Sequence, residues 1–180
     1  MKRHLLLGLL FVSTSAAADM LALFDRLRSA MPNEQVSFQL TESEVNDYMV
    51  EALKKTPRPG VDAVKVKFFP NNYASTYTWV DFDAVEHWKP GSIPSVLKPV
   101  LNGKKSIWVD VRFQTEKGNA TFTIEKAYFN DLRIPAMAVE KILQVLASRQ
   151  PEHYDTSKPV PLPFGLKRVW TKEKLVGGEK

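Results

Sequence analysis

The chain has 180 residues, no cysteine and a formal net charge of +5. The lack of cysteine excludes disulfides, thiolate metal ligands and a cysteine nucleophile. The charge is too small to indicate nucleic-acid binding, which usually needs a dense basic face, and we expect no nucleic-acid partner.

The first 18 residues have the pattern of a secretory signal peptide. A basic start, Met1 to His4, precedes an apolar run from Leu5 to Val12, and alanines at 16–18 give an A-x-A cleavage signature. The apolar run is far shorter than the roughly 20 residues that a membrane-spanning helix needs. We predict cleavage near Ala18, which would make the mature protein periplasmic or secreted. An uncleaved anchor or a buried N-terminal helix is the alternative.

Residues 19–180 are expected to form a single domain with a proline-rich C-terminal tail from about residue 151. Apolar residues from Met20 to Met31 recur on one helical face, and a short strand is predicted over 36–40. Thr41 and Glu44 form a capping box, because each side chain can satisfy a free backbone N–H at a helix start. This start opens the clearest amphipathic helix of the chain, whose apolar face consists of Val45, Tyr48, Met49, Ala52 and Leu53.

The rest of the chain reads mainly as an antiparallel meander. Alternating apolar residues predict strands over 64–68, 73–82, 107–113, 122–129, 132–134 and 166–170. The second of these carries apolar or aromatic residues on both faces, which predicts that it is covered on both sides. Short helices are predicted at 94–101 and after Pro135, and a frayed end at Gly177–Gly178. This order predicts an α+β fold, with one curved antiparallel sheet packed on amphipathic helices.

No motif identifies a reaction. The best candidates for a metal or acid–base site cluster after one strand, although a strand running into a solvated loop gives the same pattern: Asp81, Asp83, Glu86 and His87. Ser95 and Lys98 match S-x-x-K, but the partner motifs of that serine chemistry are missing. We therefore expect no catalytic residue, no bound metal and no cofactor.

Aromatic side chains indicate a binding site instead. Several lie on strand faces opposite the obvious core residues, where they could line an apolar groove for a lipid or similar small molecule. A second core layer beneath the helices is the alternative. We expect ligand contacts from the strands, the capped helix and the segment at 94–101: Phe68, Tyr77, Trp79, Trp108, Tyr48, Met49, Val96 and Leu97.

Basic residues near these positions indicate a possible contact with an anionic membrane surface. They could form a rim suited to acidic head groups, or only a solvated face: Lys54, Lys55, Arg58, Lys65 and Lys67.

Two segments resemble secreted lipid-associated families. Leu40–Met49 is similar to the L-T-E-x-E-L-N-x-x-L opening of the YpmS-like envelope proteins and the DUF2993 (LmeA-like) phospholipid-binding proteins. Ala127–Pro135, followed by a predicted helix, resembles their later v-x-i-x-g-x-x-i-P segment. The resemblance covers about residues 36–148 and implies a half-tube of the tubular lipid-binding type, without catalytic residues. The chain departs from it in a proline-rich insert at 90–99 and in its C-terminal tail.

The sequence thus predicts a non-enzymatic periplasmic or secreted protein that binds a lipid or another apolar ligand, for transfer or envelope maintenance. One alternative is an interaction or scaffold module with a filled core and a partner on a sheet edge or on the tail at 151–163. A second is a small periplasmic hydrolase. The oligomeric state is not predicted.

Overall fold

The computed structural model describes residues 16–31, 34–135, 137–139 and 158–180. The predicted signal peptide lies outside these residues up to position 15. The helix expected after Pro135 lies outside them beyond position 139, although 137–139 are helical and Val139 is buried. No helix in the described ranges is long and apolar enough to cross a membrane.

The fold is α+β, with antiparallel strands in open sheets and a few helices. In chain order the described elements are α1 (Ala16–Ser29), β1 (Ser37–Thr41), α2 (Glu42–Lys55), β2 (Val61–Phe69), β3 (Tyr73–Asp81), α3 (Phe82–Trp88), β4 (Lys104–Glu116), β5 (Asn119–Phe129), β6 (Leu132–Ile134), β7 (Val160–Pro161), a 3-10 turn (Pro163–Gly165), β8 (Arg168–Lys172) and β9 (Leu175–Glu179).

The strands form two sheets, so the prediction of a single sheet is wrong. The larger sheet has the order β2-β3-β4-β5-β6, with β7 also paired to β5. The smaller sheet has the order β1-β9-β8 and joins the two ends of the described chain. The predicted α+β class is confirmed.

The capping box predicted for α2 is present. The Thr41 hydroxyl accepts a hydrogen bond from the Glu44 backbone N–H at 3.2 Å, and the Glu44 carboxylate accepts one from the Thr41 N–H at 2.6 Å. The bond from the Thr41 backbone is the main reason that the pKa of Glu44 lies below its usual value. Local side-chain chemistry therefore sets the start of this helix.

Helix α2 lies along the edge strand β2, where its polar side chains bind the strand's backbone. The Asn46 amide donates to the Val66 carbonyl at 2.9 Å and accepts from the Val66 N–H at 2.8 Å. The Glu42 carboxylate accepts from the Phe68 N–H at 2.9 Å, and the Phe68 carbonyl accepts from the Lys174 N–H at 3.0 Å. These polar groups therefore hold α2 at the edge of the larger sheet.

The larger sheet has one covered face and one open face. The covered face carries Val66 and Phe68, which pack with Val45 of α2 in one core cluster. At the other end of that face, Phe82, Ile93 and Leu101 form a second cluster, packed against residues of β3, β4 and β5. A third cluster, Leu27, Val36 and Leu166, joins α1 to the segments around the smaller sheet.

The open face contradicts the prediction that β3 is covered on both sides. Trp79 of β3 is 43% exposed, and Trp108 of the neighbouring β4 is 46% exposed. Both point away from the covered face, because side chains alternate along a strand. Aromatic composition alone did not distinguish a buried strand face from an exposed one.

The predicted frayed end at Gly177–Gly178 is also wrong. Both glycines lie in β9, the central strand of the smaller sheet, and both are buried. A Cβ atom at Gly177 would overlap the ring of Trp170, and one at Gly178 would overlap the ring of Phe38. The glycines therefore lie where an aromatic ring approaches the strand backbone closely, which is one of the roles of glycine inside a strand.

We predict that Asn46→Ala lowers the free energy of unfolding by about 1–3 kcal/mol, because both backbone groups of Val66 lose their partner at the sheet edge. Urea denaturation measures the change. The matched control is Asp47→Ala, since Asp47 is exposed on the same helix and accepts only a long bond from Ser43 at 3.4 Å. Equal stability of the two variants would contradict this role of Asn46.

Candidate ligand-binding site

The predicted site residues lie in several different parts of the structure. Tyr48 and Met49 line a cleft beside α2, and Phe68 is buried in the core of the covered face. Tyr77, Trp79 and Trp108 lie on the open face, on the other side of the sheet from Phe68. Val96 and Leu97 lie in the loop between α3 and β4 and line neither cleft described below.

An apolar cleft of about 510 Å³ lies between α1, α2 and β2. Its volume is within the range of roughly 300–1,000 Å³ that is common for small-molecule sites. Most of its lining residues are apolar, and two are cationic: Leu21, Tyr48, Met49, Glu51, Ala52, Leu53, Lys55, Thr56, Arg58 and Val64.

The apolar wall of the cleft follows from the amphipathic pattern of α2. Residues one helical turn apart share a face, so Tyr48 and Ala52 lie one above the other, as do Met49 and Leu53. The Tyr48 ring packs edge-on against Phe24 of α1, with ring centroids 5.4 Å apart and planes at 85°. This contact fixes α1 beside α2 and so closes one side of the cleft.

The rim of the cleft carries net positive charge. Glu51 is already paired, because its carboxylate accepts a hydrogen bond from the Lys54 ammonium at 2.8 Å, which lowers the pKa of Glu51. Lys55 and Arg58 are exposed and form no ion pair with another residue in the described part of the chain. An anionic group at the rim would therefore meet two cations and one carboxylate, Glu51, whose charge is largely offset by Lys54.

A second cleft of about 430 Å³ adjoins the first around the turn between α2 and β2. The two clefts share Leu53, Arg58 and Val64 in their linings. Lys54 lies on this second cleft, so the predicted basic residues at 54, 55 and 58 surround the C-terminal end of α2. Lys65 and Lys67 instead point to the open face, where they lie opposite Tyr77 and Ser75 of β3.

On the open face, a buried carboxylate holds one of the exposed tryptophans. Asp110 is 6% exposed and accepts hydrogen bonds from the Ser75 hydroxyl at 2.7 Å and the Trp108 indole N–H at 2.7 Å. Burial acts to raise the pKa of Asp110, but the bonds from Ser75, Tyr73 and Trp108 outweigh burial and hold the pKa below its usual value. Burial, and then the bond to Asp110, raises the pKa of Tyr73 to about 12.

The Glu86 carboxylate binds the loop at 89–103 through several hydrogen bonds. Glu86 accepts hydrogen bonds from the backbone N–H groups of Gly91 and Ile93, both at 3.0 Å, and from the Lys98 ammonium at 2.8 Å. The predicted helix at 94–101 is instead a series of turns. Val96 is 81% exposed, whereas Leu97 packs on the cluster of Phe82, Ile93 and Leu101 described above.

The acidic and histidine candidates after β3 do not form one site. Asp81 caps α3 by accepting a bond from the Ala84 N–H at 3.1 Å, while Asp83 and His87 are exposed. The Glu86 carboxylate already accepts hydrogen bonds from the loop at 89–103. Among the described residues, no group of three or more histidine, aspartate or glutamate side chains is placed to hold a metal ion.

Several residues of these surfaces were not in the predicted site. Leu21, Leu53 and Val64 line the cleft, but their apolar spacing is also what a core residue shows. Tyr128 lies on the open face opposite Trp108, with ring centroids 5.9 Å apart. The alternation of side chains along β5 indicates this position of Tyr128, since Tyr128 falls out of phase with the core residues Ala127 and Phe129.

Comparison with known proteins gives no match: no family model, no curated protein and no solved structure is significantly similar to the chain.

We predict that the Glu86 carboxylate, which holds the loop at 89–103, titrates with a midpoint near pH 2. The Lys98 ammonium, followed by the N–H groups of Gly91 and Ile93, holds the pKa of Glu86 at about 2, below the usual 4.5. Because the folded pKa is the lower one, this stabilisation is present above about pH 4.5 and is lost as the pH falls toward 2. NMR titration of the Gly91 and Ile93 amides measures the midpoint, and a midpoint near 4.5 would contradict the prediction.

Proposed function

We propose that this chain is a non-enzymatic protein that binds an anionic lipid, or a similar amphiphile, in the cleft between α1, α2 and β2. The observation that carries the proposal is the combination of an apolar lining with Lys55 and Arg58 at its rim. An amphiphile has the same two parts, an apolar chain and a charged head, and both would find a matching surface there.

The apolar part of the ligand would supply most of the binding energy. Removing apolar surface from water contributes about 25 cal/mol per Å², and the residues from Tyr48 to Leu53 offer such surface on one side of the cleft. The acidic head would supply selectivity. Arg58 can form two parallel hydrogen bonds to a carboxylate or phosphate, and Lys55 adds a compact charge beside it.

The wider proposal includes cleavage near Ala18, a periplasmic or secreted location, and a role in lipid transfer or envelope maintenance. It also includes membership of the YpmS-like and DUF2993 (LmeA-like) type and the half-tube that this type implies. The antiparallel meander and the capped helix after Thr41 support the half-tube, although the two sheets are open. No step of the binding proposal depends on a closed tube.

The first experiment is native mass spectrometry of the full chain, expressed with its own N-terminal segment and purified without detergent. Organic extraction of the same sample identifies any bound lipid. We expect a stoichiometric lipid with an acidic head group and a mass that lacks residues 1–18. A ligand-free mass, together with failure to bind the fluorescent fatty acid cis-parinaric acid, would overturn the proposal. Recovery of a protein partner in place of a lipid would favour the scaffold alternative.

We predict that Ala52→Trp weakens binding of cis-parinaric acid at least about tenfold, because the indole fills the cleft and about 1.4 kcal/mol of binding energy is enough for that change. Fluorescence titration measures the affinity, and circular dichroism shows whether the variant is folded. The matched control is Asp47→Trp, an equally large change at an exposed position of α2 that does not line the cleft.

A second variant tests the rim without placing bulk in the cleft. We predict that Lys55→Glu combined with Arg58→Glu weakens binding of the same fatty acid about tenfold and removes most of its salt dependence. Lys89→Glu is the control, since Lys89 is exposed and outside both clefts. Wild-type affinity in both the Ala52→Trp and the rim variants would show that the cleft is not the binding site.

A further inference from the structure

The open face of the larger sheet presents a row of aromatic rings between two cations. The strand register places Lys65 opposite Tyr77, Tyr77 opposite Trp108, Trp108 opposite Tyr128, and Tyr128 opposite Arg133. Five neighbouring strands each contribute one residue to this row. With about 4.8 Å between strands, the row is roughly 19 Å long.

The exposed surface of Trp108 is apolar because its polar atom is already bonded inside. The indole N–H of Trp108 donates to Asp110, so what remains exposed is mainly ring carbon. Trp79 lies beside Tyr77, with ring centroids 6.0 Å apart, and is nearly as exposed as Trp108. A tryptophan whose N–H is satisfied can enter an apolar medium without leaving a buried donor unpaired.

The exposed charges on the same face are mostly positive. Lys65 and Lys67 lie on β2, Lys126 lies opposite Asp110, and Arg133 lies at the far edge. Two acidic side chains near the row already have partners: Asp110 accepts the bonds described above, and Glu125 is paired with Arg112. The face therefore matches a partner that has an anionic surface with an apolar region beneath it.

The types of residue on this face favour a membrane as the anionic partner. The planes of Tyr77 and Trp79 are inclined at 72°, and those of Trp108 and Tyr128 at 49°. Tryptophan and tyrosine rings flanked by lysine and arginine are typical of the boundary between lipid head groups and acyl chains.

We propose that the open face docks on a bilayer that contains anionic lipids, with Trp79 and Trp108 at the level of the head groups and the cations against lipid phosphates. This docking surface is separate from the cleft, since none of its residues lines either cleft. Docking and lipid binding can therefore be tested independently of each other.

The test is flotation of the full, processed chain with vesicles of phosphatidylcholine alone or mixed with an equal amount of phosphatidylglycerol. We expect binding only to the mixed vesicles, weakening as salt rises. Trp79→Ala should weaken the partitioning at least about tenfold, because the ring contributes a large apolar area at the boundary. The matched control is Trp88→Ala, since Trp88 is 52% exposed but ends α3 and lies away from this face.

A charge variant covers the case in which Trp79→Ala fails to fold. Lys65→Glu combined with Lys67→Glu changes only exposed side chains and should abolish the preference for phosphatidylglycerol. Unchanged vesicle binding in both the Trp79 and the lysine variants would overturn the proposal, as would an equal loss in Trp88→Ala. Tighter binding to a soluble acidic polysaccharide than to the mixed vesicles would also overturn it.

The two proposals fail in different ways. If only the cleft proposal is wrong, Ala52→Trp and wild type take up cis-parinaric acid equally, while Trp79→Ala still loses vesicle binding. If only the docking proposal is wrong, Ala52→Trp loses the fatty acid and Trp79→Ala floats like wild type.

Discussion

The bond between Asn46 and the backbone of Val66 is the contact on which the rest of the arrangement depends. Edge strands expose N–H and C=O groups that need partners, and β2 is such an edge. Asn46 and Glu42 supply those partners from a helix, so α2 must run beside β2 with its apolar face turned toward the sheet. The cleft follows from this placement, because it is lined by the C-terminal half of α2, by residues 56 and 58 and by Val64 of β2.

The two faces of the larger sheet explain why the predicted site residues are separated. Side chains alternate along a strand, and cross-strand pairs share a face. Phe68 is paired with Ala74 on the covered face, whereas Tyr77 is paired with Trp108 on the open face. No ligand in a single groove can contact both sets. A count of aromatic residues predicts that a binding surface exists, but only the register shows which residues share it.

Sequence patterns predicted what is decided locally. The capping box fixed the start of α2 because both of its partners lie within four residues, and strict alternation predicted the hairpin strands for the same reason. The pairing of β9 with β1 was not predictable in this way, since it joins residues more than 130 positions apart: Ser37 lies opposite Glu179. The candidate site likewise combines residues predicted from local patterns with residues that only the tertiary structure brings in. Tyr48 and Met49 were predicted from a local helical face, while Leu21 and Val64 join them only through tertiary packing.

Strand β2 links the cleft to the open face. Val64 lines the cleft and Lys65, the next residue, belongs to the aromatic row, because successive side chains of a strand point in opposite directions. A shift of β2 by one residue would exchange the two surfaces, so its register must be firmly set. Two features set this register. One is the turn at Asn71 and Asn72, which have positive φ angles of 64° and 57° that asparagine tolerates. The other is the hydrogen bond between the Asn46 amide and the backbone N–H of Val66. The residues that hold the fold at this edge therefore also keep the apolar cleft and the proposed membrane surface on opposite sides of one strand.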